Sequence, residues 1–341
     1  MTKEVLIHLL ILMVMAVGAF FLTYIAMRIL LPRLRKYKLN QPISIYAPKT
    51  HGSKASTPTL GGLSFVLACT VLMIPVSIFF LSSGKGKELL PLLFTFGYAL
   101  LNAAIGFVDD YQKLVKKNNV GLKAYQKFIL QLIFGAIYLV LMIAFGAIDT
   151  VVHIPLVNVE WDLGYFTYLF LLVLITGMTN STNLTDGVDG LLSSTTAVCA
   201  VFFLSMALFM QDVLLSVLPA LLLGSVLAFL IFNAHPARVF MGDTGSLFIG
   251  AALVGTAILM DEPLIILIAG GIYVAETASV ILQVVSCKLI RLKMRKTRLF
   301  LRTPLHHHFE DKGYTENEIV VSFTLVSVLF AFLAFLAIIY E

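Results

Sequence analysis

The chain has 341 residues, of which 59% are hydrophobic and 13% charged, and its mean hydropathy is +0.96. Soluble domains carry about 25% charged residues, so this composition excludes a soluble globular enzyme, a disordered chain and, despite a pI near 9.0, a nucleic-acid binder. The net charge is +5, and the three cysteines (Cys69, Cys199, Cys287) lie in or beside apolar runs with no CxxC or Cys/His metal spacing, so they carry no redox message.

A helix needs about 20 apolar residues to cross a bilayer. Apolar runs predict such helices, in chain order, at 5–31, 59–81, 90–108, 125–147, 165–181, 194–210, 214–233, 246–260, 263–288 and 319–340. The first lacks a basic leader and a small-residue cleavage site, so it reads as a membrane helix rather than a signal peptide. The eighth run is short and the ninth long, as tilted or broken helices are. Residues 149–164 alternate weakly around Pro155 and read as a short surface hairpin anchored at the interface by Trp161. The expected class is all-α: a polytopic integral membrane protein of about ten transmembrane helices, forming one domain over 1–341.

Charge placement orients it. Alternate loops, with Arg28 at the end of the first helix, hold 21 of the 24 lysines and arginines, and the opposite side holds only Lys3, Lys85 and Lys87. Basic loops stay in the cytoplasm, and an even number of spans then puts both termini outside. Asp109, Asp110, Asp186, Asp189 and Asp243 all fall at cytoplasmic helix ends or in short cytoplasmic loops, so the active face is expected there.

Four polar segments stand out on that face. In Gly106-Phe107-Val108-Asp109-Asp110, adjacent carboxylates sit at a helix C-terminus, where the dipole disfavours them by about 0.3 kcal/mol or more. They are either a solvated end balanced by Lys113 and Lys116, or a metal-neighbouring, phosphate-handling pair. Residues 180–190 carry two Asn, two Asp and two Gly but lack the ligand pattern of a calcium loop. Asp186 or Asp189 is expected to cap the following helix, and the remaining oxygens suit Mg²⁺ and a nucleotide.

Asp243, just before an apolar run, is either an N-cap or part of a metal–phosphate site, and Phe240 either packs or stacks on a base. In Thr303-Pro304-Leu305-His306-His307-His308-Phe309-Glu310, neighbouring helical positions point about 100° apart, so the three imidazoles cannot share one metal. One or two of them could bond phosphate or ribose oxygens. The glycines of Pro58-Thr59-Leu60-Gly61-Gly62 fit close helix packing. Glu276, inside the ninth span, is either functional or faces the polar pocket.

These segments, in this order, resemble the polyprenyl-phosphate N-acetylhexosamine-1-phosphate transferases, over nearly the whole chain. The histidine segment, backed by residues 57–62, points to the branch that transfers phospho-MurNAc-pentapeptide. The resemblance implies a ten-helix protein of the bacterial cytoplasmic (inner) membrane, working as a homodimer in the bilayer. It implies transfer from UDP-MurNAc-pentapeptide to undecaprenyl phosphate with Mg²⁺, giving lipid I and UMP. Residue by residue, Asp243 matches the metal-binding aspartate and Asn183 a second ligand. Asp109 and Asp110 match the essential pair, and Lys113 and Lys127 match basic residues of the active face. Asn180 and Asp186 match positions in the shared polar segment assigned to substrate. Gly187, Val188, Asp189, Asn233 and Phe240 match positions around the uridine, with Phe240 beneath the uracil. His306, His307 and His308 match the histidine motif.

The electrostatics agree with that chemistry. Bringing a lipid phosphate to a diphosphate costs roughly 4 kcal/mol per pair of unit charges at about 4 Å and an effective dielectric near 20, which a cation, lysines and imidazoles must offset. Direct attack with Asp109 as base and a covalent phospho-sugar route are both open on sequence, and the competence of a phosphate nucleophile favours the direct one. A sister transferase using UDP-GlcNAc is the nearest rival. A transporter or flippase is the rival from another class, but its polar groups belong near the bilayer midplane rather than on one face.

Overall fold

The computed structural model describes residues 3–37, 39, 56–116, 121–157, 159–289 and 299–339. Lys38, Lys49, Lys54, Lys117, Arg291, Lys293, Arg295, Lys296 and Arg298 of the basic loops lie outside them. In order, the elements are α1 (Lys3–Lys36), α2 (Leu63–Ser82), α3 (Gly86–Lys116), α4 (Ala124–Ala144), β1 (Val151–Ile154), β2 (Val159–Asp162), α5 (Phe166–Thr185) and α6 (Leu191–Phe209). They continue with α7 (Val213–Asn233), α8 (Asp243–Leu259), α9 (Ile265–Ala269), α10 (Gly271–Leu289), α11 (Leu305–Asp311) and α12 (Glu316–Ile339).

Each apolar run is helical. Among the described residues, seven helices are long and apolar enough to cross a membrane: α1, α2, α3, α4, α6, α7 and α12. The others depart for reasons visible in their sequence. The end of α5 is rich in Thr, Asn and Ser, α8 has 17 residues, and the long ninth run breaks at Gly270 into α9 and α10. The histidine run, which lies in none of the predicted membrane helices, forms the seven-residue helix α11.

Helix α8 is the axis of the fold. From Thr244 to Ile258 every side chain is buried, which is how a helix apolar on all sides must sit. It packs against α3, α5, α6 and α7. Peripheral α1, α4 and α12 instead expose Phe21, Ile133, Leu325 and Phe332, the face a hydrocarbon solvent requires. Between helices in lipid, close approach rather than apolar burial supplies cohesion, and small residues permit it. Gly106 of α3 lies against the backbone of Asp243, and Gly62 lies against Gly245, with no room for a Cβ at either. The close-packing role expected of the Gly61-Gly62 pair is therefore met.

The hairpin forms as expected: β1 and β2 pair antiparallel with Val151 opposite Asp162 and His153 opposite Glu160, and Trp161 is exposed. His153 Nδ1 lies 3.1 Å from both carboxylate oxygens of Glu262, in the turn after α8. That contact fastens the hairpin to the C-terminal end of α8. The polar segments gather at its N-terminal end, about 25 Å away for a helix of this length.

Candidate active site

The site is organised by the start of α8. The first amides of any helix lack intrahelical acceptors, and here they are satisfied from another helix. Asp110, six residues before the end of α3, accepts hydrogen bonds from Asp243 N (3.1 Å), Thr244 N (3.0 Å) and Thr244 Oγ1 (2.8 Å). Gly242, at φ +78°, makes the turn into α8 and leaves no space for a side chain beside Asp110 Oδ2. The capping role open to Asp243 on sequence thus belongs to Asp110. Its negative charge also sits at the positive end of the α8 dipole, and the helix end expected at Asp109-Asp110 lies further on, because α3 continues to Lys116.

Asp243 is thereby free to turn its side chain outward. Its Oδ2 pairs with Lys127 Nζ (2.6 Å) and Lys113 Nζ (3.3 Å), and its Oδ1 accepts Asn183 Nδ2 (3.0 Å). Asn183 Nδ2 also donates to Ser246 Oγ at 2.8 Å. Asp109, one residue before Asp110 and so on a different face of α3, accepts Leu122 N (2.7 Å) at Oδ1. Its Oδ2 pairs with Lys113 (2.6 Å), with Lys127 at 3.9 Å. Of the two lysines expected to balance the pair, Lys113 does so, whereas Lys116 turns to Gln112.

Asp109, Asp110 and Asp243 bring ligand oxygens within 4.8 Å of one another, so the structure unites carboxylates from two helices with two lysines and an amide. Hard oxygen donors in excess of the cationic groups suit a divalent cation such as Mg²⁺. Asn183 faces Asp243 as a hydrogen-bond donor in this arrangement.

The turn between α5 and α6 flanks this cluster. Burial and the charges of Asp243, Asp110 and Asp189 push the Asp186 carboxyl well above the usual carboxylate range. Neither Asp186 nor Asp189 caps α6, contrary to expectation, because the N-cap is Gly190, at φ +81° and with no side-chain bond. Asp189 accepts Ala237 N (3.0 Å) and His235 Nδ1 (3.1 Å), while its own N–H donates to Glu316 (3.1 Å). Asp189, His235 and Glu316 form a second group with ligand atoms within 4.8 Å.

Asn233 staples the turn. Its Oδ1 accepts Gly190 N at 3.1 Å and its Nδ2 donates to Val239 O at 3.1 Å. Val188 is buried among Leu191, Ile272, Ile319 and Phe323. Phe240 is half-buried, and its backbone bonds to Pro58 O and Gly61 N fix it beside the residues of the 57–62 motif. Asn180 lies inward of the carboxylates and donates to Gln131 Oε1 and Thr176 O, both at 2.8 Å.

The three histidines have three different environments, as their 100° divergence requires. His306 is buried against Glu276 (Nδ1 to Oε1, 2.9 Å). His307 is partly exposed and its Nδ1 pairs with Glu310. His308 accepts Leu301 N at Nδ1 (3.1 Å), and desolvation, then Lys312, lowers its pKa. Sequence reasoning gave His235 and Glu316 no role at the site and left Glu276 open between a functional role and facing the polar pocket. For Glu276 the signal was present, as a charge inside an apolar run. For the Asp189–Glu316 bond, which spans 127 positions, there was none.

Comparison with known proteins agrees with this geometry. Residues 92–261, from α3 through the end of α8, match the glycosyl transferase family 4. The chain is 42% identical over 323 residues to the phospho-N-acetylmuramoyl-pentapeptide-transferase of Bacillus mycoides (strain KBAB4), covering 94% of this chain and 96% of that one. It is 39% identical over 319 residues to the Clostridium kluyveri protein of the same name, with the same coverage. To that of Halalkalibacterium halodurans it is 40% identical over 316 residues, covering 93% of this chain and 94% of that one. With the carboxylate–lysine cluster lying inside the matched region and the likeness running the length of both chains, the protein belongs to the phospho-N-acetylmuramoyl-pentapeptide-transferase family.

Proposed function

We propose that this protein transfers phospho-MurNAc-pentapeptide from UDP-MurNAc-pentapeptide to undecaprenyl phosphate, giving lipid I and UMP, a membrane step of peptidoglycan synthesis. The observation that carries this reading is the cluster of Asp109, Asp243, Lys113 and Lys127 at one end of α8, inside a chain of this family. A reaction between a phosphate and a diphosphate needs cationic groups held in place before the substrates arrive. Lys113 and Lys127 are such groups, each anchored by Asp243 and Asp109.

Asp243 and Asn183 are the residues assigned to hold Mg²⁺, which when bound would neutralise diphosphate charge and stabilise the departing UMP. Asp186, Gly187, Asp189 and Phe240 form the nucleotide end of the site, with Asn233 and Val188 holding that end in shape. His307, partly exposed and paired with Glu310, faces substrate in this reading.

The lipid phosphate attacks directly in this reading, with Asp109 accepting its proton. The covalent alternative requires a carboxylate free to act as nucleophile. The carboxylate oxygens of Asp110 and Asp243 are engaged by amides or ammonium groups, which disfavours either as the nucleophile.

The ten apolar runs together with the lysine and arginine asymmetry support both termini outside. They support a cytoplasmic position for the α8 N-terminal end, where a lipid phosphate and a soluble nucleotide donor would meet. A homodimer follows from the family resemblance. The test is UMP release by purified protein supplied with undecaprenyl phosphate, Mg²⁺ and either UDP-MurNAc-pentapeptide or UDP-GlcNAc. Release with the first donor alone is expected; release with UDP-GlcNAc would move the protein to the sister chemistry.

A further inference from the structure

Glu276 is fully buried on α10, where an unpaired carboxylate costs several kcal/mol. Its Oε1 accepts the His306 backbone N–H (3.3 Å) and the ring Nδ1 (2.9 Å), so both bonds go to one residue. Carboxylate oxygens only accept, so Nδ1 is assigned as the donor of the ring bond. Among the described residues Glu276 Oε2 and His306 Nε2 have no hydrogen-bond partner, although both are buried. The far edge of the ring ends on Gly187, and a Cβ on that residue would coincide with Nε2. Gly187 is the residue between Asp186, whose carboxyl lies in the field of Asp243 and Asp110, and the Val188-Asp189 pair that is tied to His235 and Glu316.

We propose that Glu276 is a positioning residue which, through His306, sets the 186–189 turn against which the donor nucleotide binds. The inference rests on the reading of the site given above. Glu276 fixes the tautomer and angle of the imidazole, and the imidazole in turn leaves Gly187 a single place to lie. His306 is then a buttress of the turn, and a substrate contact falls to the partly exposed histidines that follow it. The carboxylate sits on α10 and the ring on α11, so the pair also locks the two elements that follow the break at Gly270 to the start of α6.

The experiment measures UMP affinity of the purified full-length protein by calorimetry, with KM for each substrate alongside. Glu276→Leu, which removes the acceptor, is expected to weaken UMP binding about tenfold, the worth of one good buried hydrogen bond. It should raise the donor KM by the same factor and leave the KM for undecaprenyl phosphate within about twofold. Glu276→Gln, which keeps an oxygen for both N–H groups, should recover most of the lost affinity. Parent-like UMP binding by Glu276→Leu, or an equal loss for both substrates, overturns the proposal.

A second arm does not depend on that variant folding. Gly187→Ala should weaken UMP binding in the parent, where the methyl meets the ring, and cost little in a His306→Ala background; the same loss in both backgrounds overturns the proposal. A parent protein that binds no UMP defeats the functional reading and this inference with it. Binding by the parent that no variant changes defeats this inference alone.

Discussion

Asp109 and Asp110 are neighbours in the chain with unlike tasks, because successive positions on a helix diverge by about 100°. Asp110 spends both oxygens on the first turn of α8, whereas Asp109 meets Lys113 and the Leu122 amide. Asp110→Ala therefore strands two buried amides and should destabilise the folded protein by about 2 kcal/mol, a large value for a lost cap. Thermal unfolding in detergent checks this, and a variant with parental stability would remove Asp110 from the capping role. The sequence singled out Asp109, Asp110, Asp186, Asp189 and Asp243, which the structure brings near the start of α8. It left their division of labour open, since the bonds that make Asp110 the cap join residues 133 or more positions apart. The imidazoles show the same limit: a run of three identical residues carries no sign of which one is buried.

Helices were the most legible elements, because an apolar run of membrane length has few alternatives in lipid. The break at Gly270 was legible as excess length in the ninth run. Helix α11 was not, since seven residues with three histidines show no apolar period and its stability comes from what it touches. The α3–α8 crossing is the element contact on which the site depends, for it brings Asp109 and Asp110 to Asp243. Gly106 lies against the α8 backbone there, and any side chain must push the helices apart. Gly106→Val should cost about 2 kcal/mol or more in stability and reduce transfer far more than that loss explains. A valine variant with parental activity and melting would mean that the close crossing is not needed.

At the scale of the molecule, α8 joins two unlike ends: the hairpin latched by His153 and Glu262 at one, and carboxylates, lysines and histidines at the other. One-sided polarity was already legible in the lysine and arginine count, and it separates a transferase working at an interface from a transporter with its polar groups at mid-depth. The central claim is that the polar end performs phosphosugar transfer with Asp243 at its centre. The most direct test is formation of the lipid-linked product from UDP-MurNAc-pentapeptide and undecaprenyl phosphate, measured with Mg²⁺ and with chelator, for the parent and for Asp243→Asn. The account predicts product with Mg²⁺ only, and a fall of about 10²–10³-fold in Asp243→Asn at little cost in melting temperature. Product formed at the parental rate by Asp243→Asn, or equally well in chelator, would contradict it.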